Sequence, residues 1–159
     1  MAADKALRVQ LAEFVDWRHA HLGFDAAVKG IPPRLRGMVP KGFAHSIWQV
    51  VEHIRIAQAD ILDFCVNPKY VHDMKWPDDY WPRAASPGSA SAWTKSLAVI
   101  RRDRKTMQRL AMNSRIDLFA KIPHGSGQTY LRELLLVGDH AGYHIAQIVD
   151  IRRALGDWK

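Results

Sequence analysis

A chain of 159 residues with 48% hydrophobic and 25% charged side chains has the balance of a soluble globular protein and room for one domain, residues 1–159, with a real core. One cysteine, Cys65, rules out an internal disulfide framework and a cysteine-based zinc finger, and the lack of any apolar run of about 18 residues rules out a membrane-spanning helix. The net charge of +7 admits an anionic partner, but no aromatic–basic interleaving, GxxG clamp or zinc-finger spacing accompanies it, so nucleic acid is not the expected partner.

The opening MAADKALRVQLAEF has neither a continuous apolar core nor a signal-cleavage pattern, and the expected location is the cytoplasm. From Asp4, a plausible N-cap, to about Val28 the spacing predicts one helix, with Leu7, Leu11, Phe14, Val15 and Leu22 on a stripe that Arg18 interrupts. Gly30, Pro32 and Pro33 end it. His19 and His21, two apart, face different ways and cannot chelate together. Residues 31–44, with three prolines and two glycines, read as a connection whose Arg34 and Arg36 are exposed.

Ser46 followed by Gln49 is a capping-box pattern, and the second helix runs from there to the Asn67-Pro68 stop. Ile47, Val50, Ile54, Ile61 and Phe64 form its apolar face. His53 lies at the edge of that face, in line with Gln49, Ala57 and Asp60, neighbours that suit a site wall better than a tight core. Cys65, set in ADILDFCV, reads as a buried structural thiol. The connection over residues 69–88 is long and carries Trp76-Pro77, Tyr80 and Trp81-Pro82. Its large aromatics predict a lid or crossover packed across the molecule.

The third helix spans Ser89–Asn113, striped by Trp93, Leu97, Ile100, Met107, Leu110 and Ala111. Arg101, Arg102, Arg104, Lys105 and Arg109 occupy its other sides and read as a solvated basic face, with Arg152 and Arg153 a second basic cluster. Residues 114–128 return the chain, with a short extended stretch before Pro123. The fourth helix opens near Thr129 and ends at Gly156. Four amphipathic helices with long connections, and no useful period-2 run, make an all-α four-helix bundle with long crossovers.

The chemistry concentrates in DHAGYHIAQIVDIRRA, where His140 and His144 lie four apart and so share a helix face. The wheel puts them on a stripe with Glu133, Leu136, Val137, Gln147, Ile151 and Leu155, expected to face the bundle interior. A buried neutral imidazole needs a partner at each ring nitrogen. A metal supplies one, and an acceptor such as Asp60, Gln147 or a carbonyl the other. With His53 as a third ligand, three imidazoles leave an open position for water or substrate, the layout of a catalytic site. Imidazole suits zinc, nickel, copper and iron alike.

Only Ala141, Gly142 and Tyr143 separate the two histidines, so no glutamate base accompanies them. Asp60 and Glu133 are the carboxylate candidates for that role, with a salt bridge the competing reading for each. Gly142 implies close approach of a neighbouring helix. His45 is either at the pocket mouth or simply a helix-entry residue. Gln49, Gln147 and Trp81 complete the expected lining, His21 is a weaker candidate, and His72 and His124 are placed in solvated loops.

HSIWQVVEHIRIAQADILDF (residues 45–64), GQTYLRELLLVGDHAGYHIAQIVDIRRALGDW (residues 127–158) and the WPDDYWP loop between them resemble the DinB/YfiT-like superfamily of metal-dependent four-helix-bundle proteins, over nearly the whole chain. The resemblance implies a metal triad at His53, His140 and His144. Ala146, where relatives often have glycine, is a small departure. It also implies a divalent metal, zinc or nickel foremost and iron or another as alternatives, a homodimer, and chemistry with a small-molecule substrate or a low-molecular-weight thiol. The expectation is therefore a metal-dependent thiol transferase or hydrolase that activates a thiol or water against a small electrophile. The alternative is a non-catalytic metal-binding or stress-response module using its basic surface on an anionic partner.

Overall fold

A computed structural model describes residues 2–16 and 20–158. Among these residues there are five α-helices and no strand: α1 (Ala2–Val15), α2 (Phe24–Val28), α3 (Ile47–Val66), α4 (Ala90–Met112) and α5 (Tyr130–Ala154). The extended stretch expected before Pro123 amounts to one antiparallel bridge between Lys121 and Thr129.

The long helices begin where hydroxyl side chains can satisfy free amides. Ser46 and Gln49 form the full capping box. Ser89 accepts from the Ala92 amide at 3.0 Å and Thr129 from the Arg132 amide at 3.2 Å. At the far end of α5, Gly156 takes the positive φ of 71° that terminates a helix without a side-chain clash.

α1 and α3 each pack against both α4 and α5. Side chains that meet across the seams give the directions. Arg8 reaches the Ala111 carbonyl and Gln108 reaches that of Ala12, so α1 and α4 are antiparallel. Trp48 lies near Trp93, and Gln58 donates to the Ile100 carbonyl, so α3 and α4 are parallel. His53 beside His140, with Ile61 beside Val137, makes α3 and α5 antiparallel. The order is up-down-down-up, around a core that includes Ile47, Ile54, Ile100, Met107, Ile145 and Ile148.

Two parallel consecutive helices force their connection to travel back the length of a helix, ~30 Å for the 20 residues of α3. The segment between α3 and α4 does so along α3 itself. Tyr70 bonds Asp60, the Tyr80 carbonyl meets His53, the Pro82 carbonyl accepts from Gln49, and the Ala85 carbonyl accepts from Ser46. The expected crossover is thereby found, and it is tied down at both ends.

The first expected helix is two. Arg18 and His19 lie outside the described residues, but α1 ends at Val15 and the chain re-enters a helix only after Gly23. Leu22, a stripe position on the wheel, is exposed, and Phe24 is fully buried in its place. The break is stabilised from a distance, because buried Arg152 on α5 donates to the Ala27 and Lys29 carbonyls at the end of α2. Asp4 is not a cap. It sits inside α1 and pairs with Arg8 at 2.9 Å.

The basic segment of α4 is only partly the expected solvated face: Arg102, Lys105 and Arg109 are exposed, and Arg101 is half-buried. Arg104 is buried, and it shares Asp25 with Arg101 at 2.8 and 2.6 Å, while Arg102 pairs with Asp103. Arg36, expected in solvent, is half-buried with its guanidinium 4.6 Å from the Trp93 ring. Close helix approach occurs at Gly138, where a Cβ would come within 2.1 Å of Phe14, and not at Gly142, which instead accommodates the His21 ring.

Candidate metal centre

His53, on α3, and His140 and His144, on α5, come together in the α3–α5 seam, and their ligating nitrogens all lie within 4.8 Å of one another. His53 and His140 present Nε2 to Nε2 at 3.0 Å. The ring centroids of the three are 4.4 to 4.8 Å apart. The seam runs along the flank of α5 and not along its most buried line, which is Leu134, Val137, Ala141, Ile145 and Ile148. His140 and Gln147 are accordingly half-buried. Of the two histidines expected to face the bundle interior, His144 is buried and His140 is half-buried at the flank. α5 centres its apolar face between α1 and α3, so the histidine stripe turns toward the crossover.

Ring orientation is set by specific acceptors. The Nδ1 of His53 lies 2.9 Å from the Tyr80 carbonyl, and the Nδ1 of His144 lies 2.7 Å from the amide oxygen of Gln147. An acceptor at Nδ1 requires the proton there, so each Nε2 carries a bare lone pair. Trp81 stacks flat on His53 at 3.9 Å, and His45 stacks on its other face at 3.8 Å. Trp76, 68% exposed, leans over His53 with its ring centre 6.5 Å away.

Burial, reinforced by His144 and His53, pushes the His140 imidazole down to about 3, and burial with the nearby His53 and His45 pushes His144 down to about 4. Burial also lowers His53 and His45. A proton charge is disfavoured at every ring, which leaves three neutral imidazoles at neutral pH. Three neutral, convergent nitrogen donors suit a borderline divalent ion. Two nitrogens on one such ion at ~2.0–2.1 Å each stand ~3–4 Å apart; His53 and His140 meet that spacing at 3.0 Å, and the donor set of three neutral imidazoles fits the group.

The remaining sequence candidates separate into three roles. Gln147 holds His144. Gln49 closes the cap of α3 and ties the Pro82 carbonyl, so it positions the crossover. Asp60 accepts from the hydroxyls of Tyr70 and Tyr80, and it reaches the imidazoles only through Tyr80. Glu133 is buried, pairs with Arg132 at 2.6 Å, and lies seven residues from His140 on α5, ~10 Å along the axis. Neither carboxylate is among the convergent ligands. His21 lines a different depression, on the side of Gly142. His72 and His124 are exposed but partnered, by the Tyr70 hydroxyl and the Phe64 carbonyl. The backbone carbonyl of Tyr80 is the site group that sequence reasoning missed, since any residue type can supply a carbonyl.

A helical bundle whose crossover closes over three convergent histidines defines the class of protein: an all-α bundle with a cluster that could hold a metal ion. The family model of the DinB superfamily matches residues 17–148, and the chain belongs to that superfamily. No curated protein and no solved structure matches it. No helix among the described residues is long and apolar enough to cross a membrane.

Proposed function

We propose that His53, His140 and His144 bind one divalent metal ion, zinc or nickel foremost, and that the protein is an enzyme acting on a small electrophilic substrate. The observation that carries this reading is the pair of preset tautomers: the Tyr80 carbonyl and Gln147 turn the Nε2 lone pairs of His53 and His144 toward His140. A divalent ion bound there supplies Lewis acidity, which lowers the pKa of a bound thiol or water into the neutral range. The chain's own residues orient the imidazoles, and Trp81 and Trp76 cover one side against water. With no glutamate between the α5 histidines and both carboxylates outside the cluster, a nucleophile that needs little help from a protein base is favoured. A low-molecular-weight thiol meets that requirement better than water. We further propose one domain, a homodimer and a cytoplasmic location. The alternative of a basic docking surface is left with the exposed Arg102, Lys105 and Arg109, while Arg101 and Arg104 are drawn to Asp25.

Metal analysis of protein purified without a histidine tag tests the reading. Wild type is expected to hold about one ion per chain and His140→Ala almost none. Equal, negligible metal in both would overturn it.

A further inference from the structure

One to two turns along the same seam, away from the three imidazoles, lies a cavity of about 510 Å³ that they do not line. The volume falls within the ~300–1,000 Å³ of small-molecule sites. We propose that this cavity is a second binding site, for a small organic cation with a flat or apolar body.

The walls are aromatic. Phe64 meets Tyr70 at 5.2 Å and His124 at 5.4 Å, both edge-on, and Tyr70 and His124 are 6.4 Å apart. Ring faces of this kind attract a cation and pack well against a planar body. Ile61 and Leu136 add apolar lining.

The charge at the cavity has one dominant sign although the chain as a whole is +7. Asp60 and Glu133 both line it, against a single arginine, Arg132. Asp60 accepts a hydrogen bond from each of Tyr70 and Tyr80, and burial together with Asp60 pushes both phenols up, so they remain donors to it. The Glu133 side chain is only 3% exposed and pairs with Arg132, whose side chain is 57% exposed. A cation entering the cavity would lie beside both carboxylates in a partly water-excluded setting, where the attraction is stronger than in bulk water. An anionic ligand would instead meet two carboxylates. A primary ammonium or amidinium on a phenyl-sized body fits both the charge and the walls.

The site stands independently of the metal reading, and the test keeps the two apart. The 2-phenylethylammonium ion is titrated calorimetrically into the full chain at low salt and neutral pH, with 3-phenylpropionate as the anion of similar size. The ammonium is expected to bind, and the carboxylate to bind at least about tenfold more weakly. Glu133→Gln should weaken the ammonium at least about tenfold, and Leu136→Trp, which fills the cavity, should abolish binding. If circular dichroism shows Glu133→Gln unfolded, Asp60→Asn takes its place with the same expectation. His140→Ala should bind the ammonium as wild type does, whether or not wild type holds metal. No binding by wild type, equal binding of the carboxylate, or ammonium binding unchanged by both cavity substitutions would overturn the proposal.

Discussion

The α3–α5 seam and the α1–α4 seam both bury polar side chains, and they satisfy them in opposite ways. Between α1 and α4 the groups are charged and their partners lie within the chain. Arg8 donates to the carbonyls of Ala111, Asn113 and Ile116, closing the C-terminal end of α4, and Arg104 sits with Asp25 and Asp16. At the metal centre between α3 and α5 the groups are neutral imidazoles, two of them held at Nδ1 with their Nε2 atoms turned toward the cluster. Buried groups that are fully paired hold helices together. Buried groups that are oriented with their ring nitrogens converging form a cluster that could hold an ion.

The largest expected effect on stability lies in the paired seam. Arg8→Met leaves three carbonyls at the end of α4 without their donor, and should cost about 3 kcal/mol in urea unfolding while metal content per folded chain stays at the wild-type level. A matching loss of metal would show that the two seams are not separable. Next is Gln147→Ala, which frees the His144 ring to turn. It should weaken metal binding about 10- to 100-fold by competition with a chelator, with little change in unfolding midpoint. An unchanged affinity would mean that Gln147 does not set the ring.

Acid sharpens the contrast further. The folded values of His140 and His144 lie below the ordinary 6.5, so the folded state binds fewer protons than the unfolded chain. Their contribution to stability is complete above about pH 6.5 and is lost as pH falls toward the folded values. The melting temperature of metal-free protein should therefore fall between pH 6.5 and 4, and fall less in the double variant His140→Leu/His144→Leu. Equal slopes would remove the imidazoles as the cause. The smallest effect is at the solvent edge of the paired seam. Burial raises the Asp25 carboxyl, but bonds from Arg104 and Arg101 outweigh it and hold it below its usual value. Because the carboxylate is half exposed, Asp25→Asn should cost under about 1 kcal/mol, measured by thermal unfolding in low and high salt.

Much of this was legible in the chain. Ser46 and Gln49 announce the start of α3, Thr129 and Gly156 bracket α5, and the four-residue spacing of His140 and His144 fixes a shared face, because each depends only on neighbours within a turn or two. The α1 break was not legible, since Leu22 continues the apolar spacing and what rewards the break is Arg152, more than 120 residues away. Nor was the pairing of the basic segment of α4, whose partner Asp25 lies 76 residues from Arg101.

By itself the sequence determined the three long helices α3, α4 and α5, their starts and the candidate ligands, including His53, because periodicity and capping are local physics. Only the tertiary structure decided what those ligands face. The parallel course of α3 and α4 obliges the crossover to run back along α3. That course brings the Tyr80 carbonyl and Trp81 onto His53, rolls the α5 histidines to the flank beneath it, and leaves Asp60 and Glu133 at a separate cavity. Backbone carbonyls and helix rotation carry no signature in residue types, so neither could be read before the chain was folded.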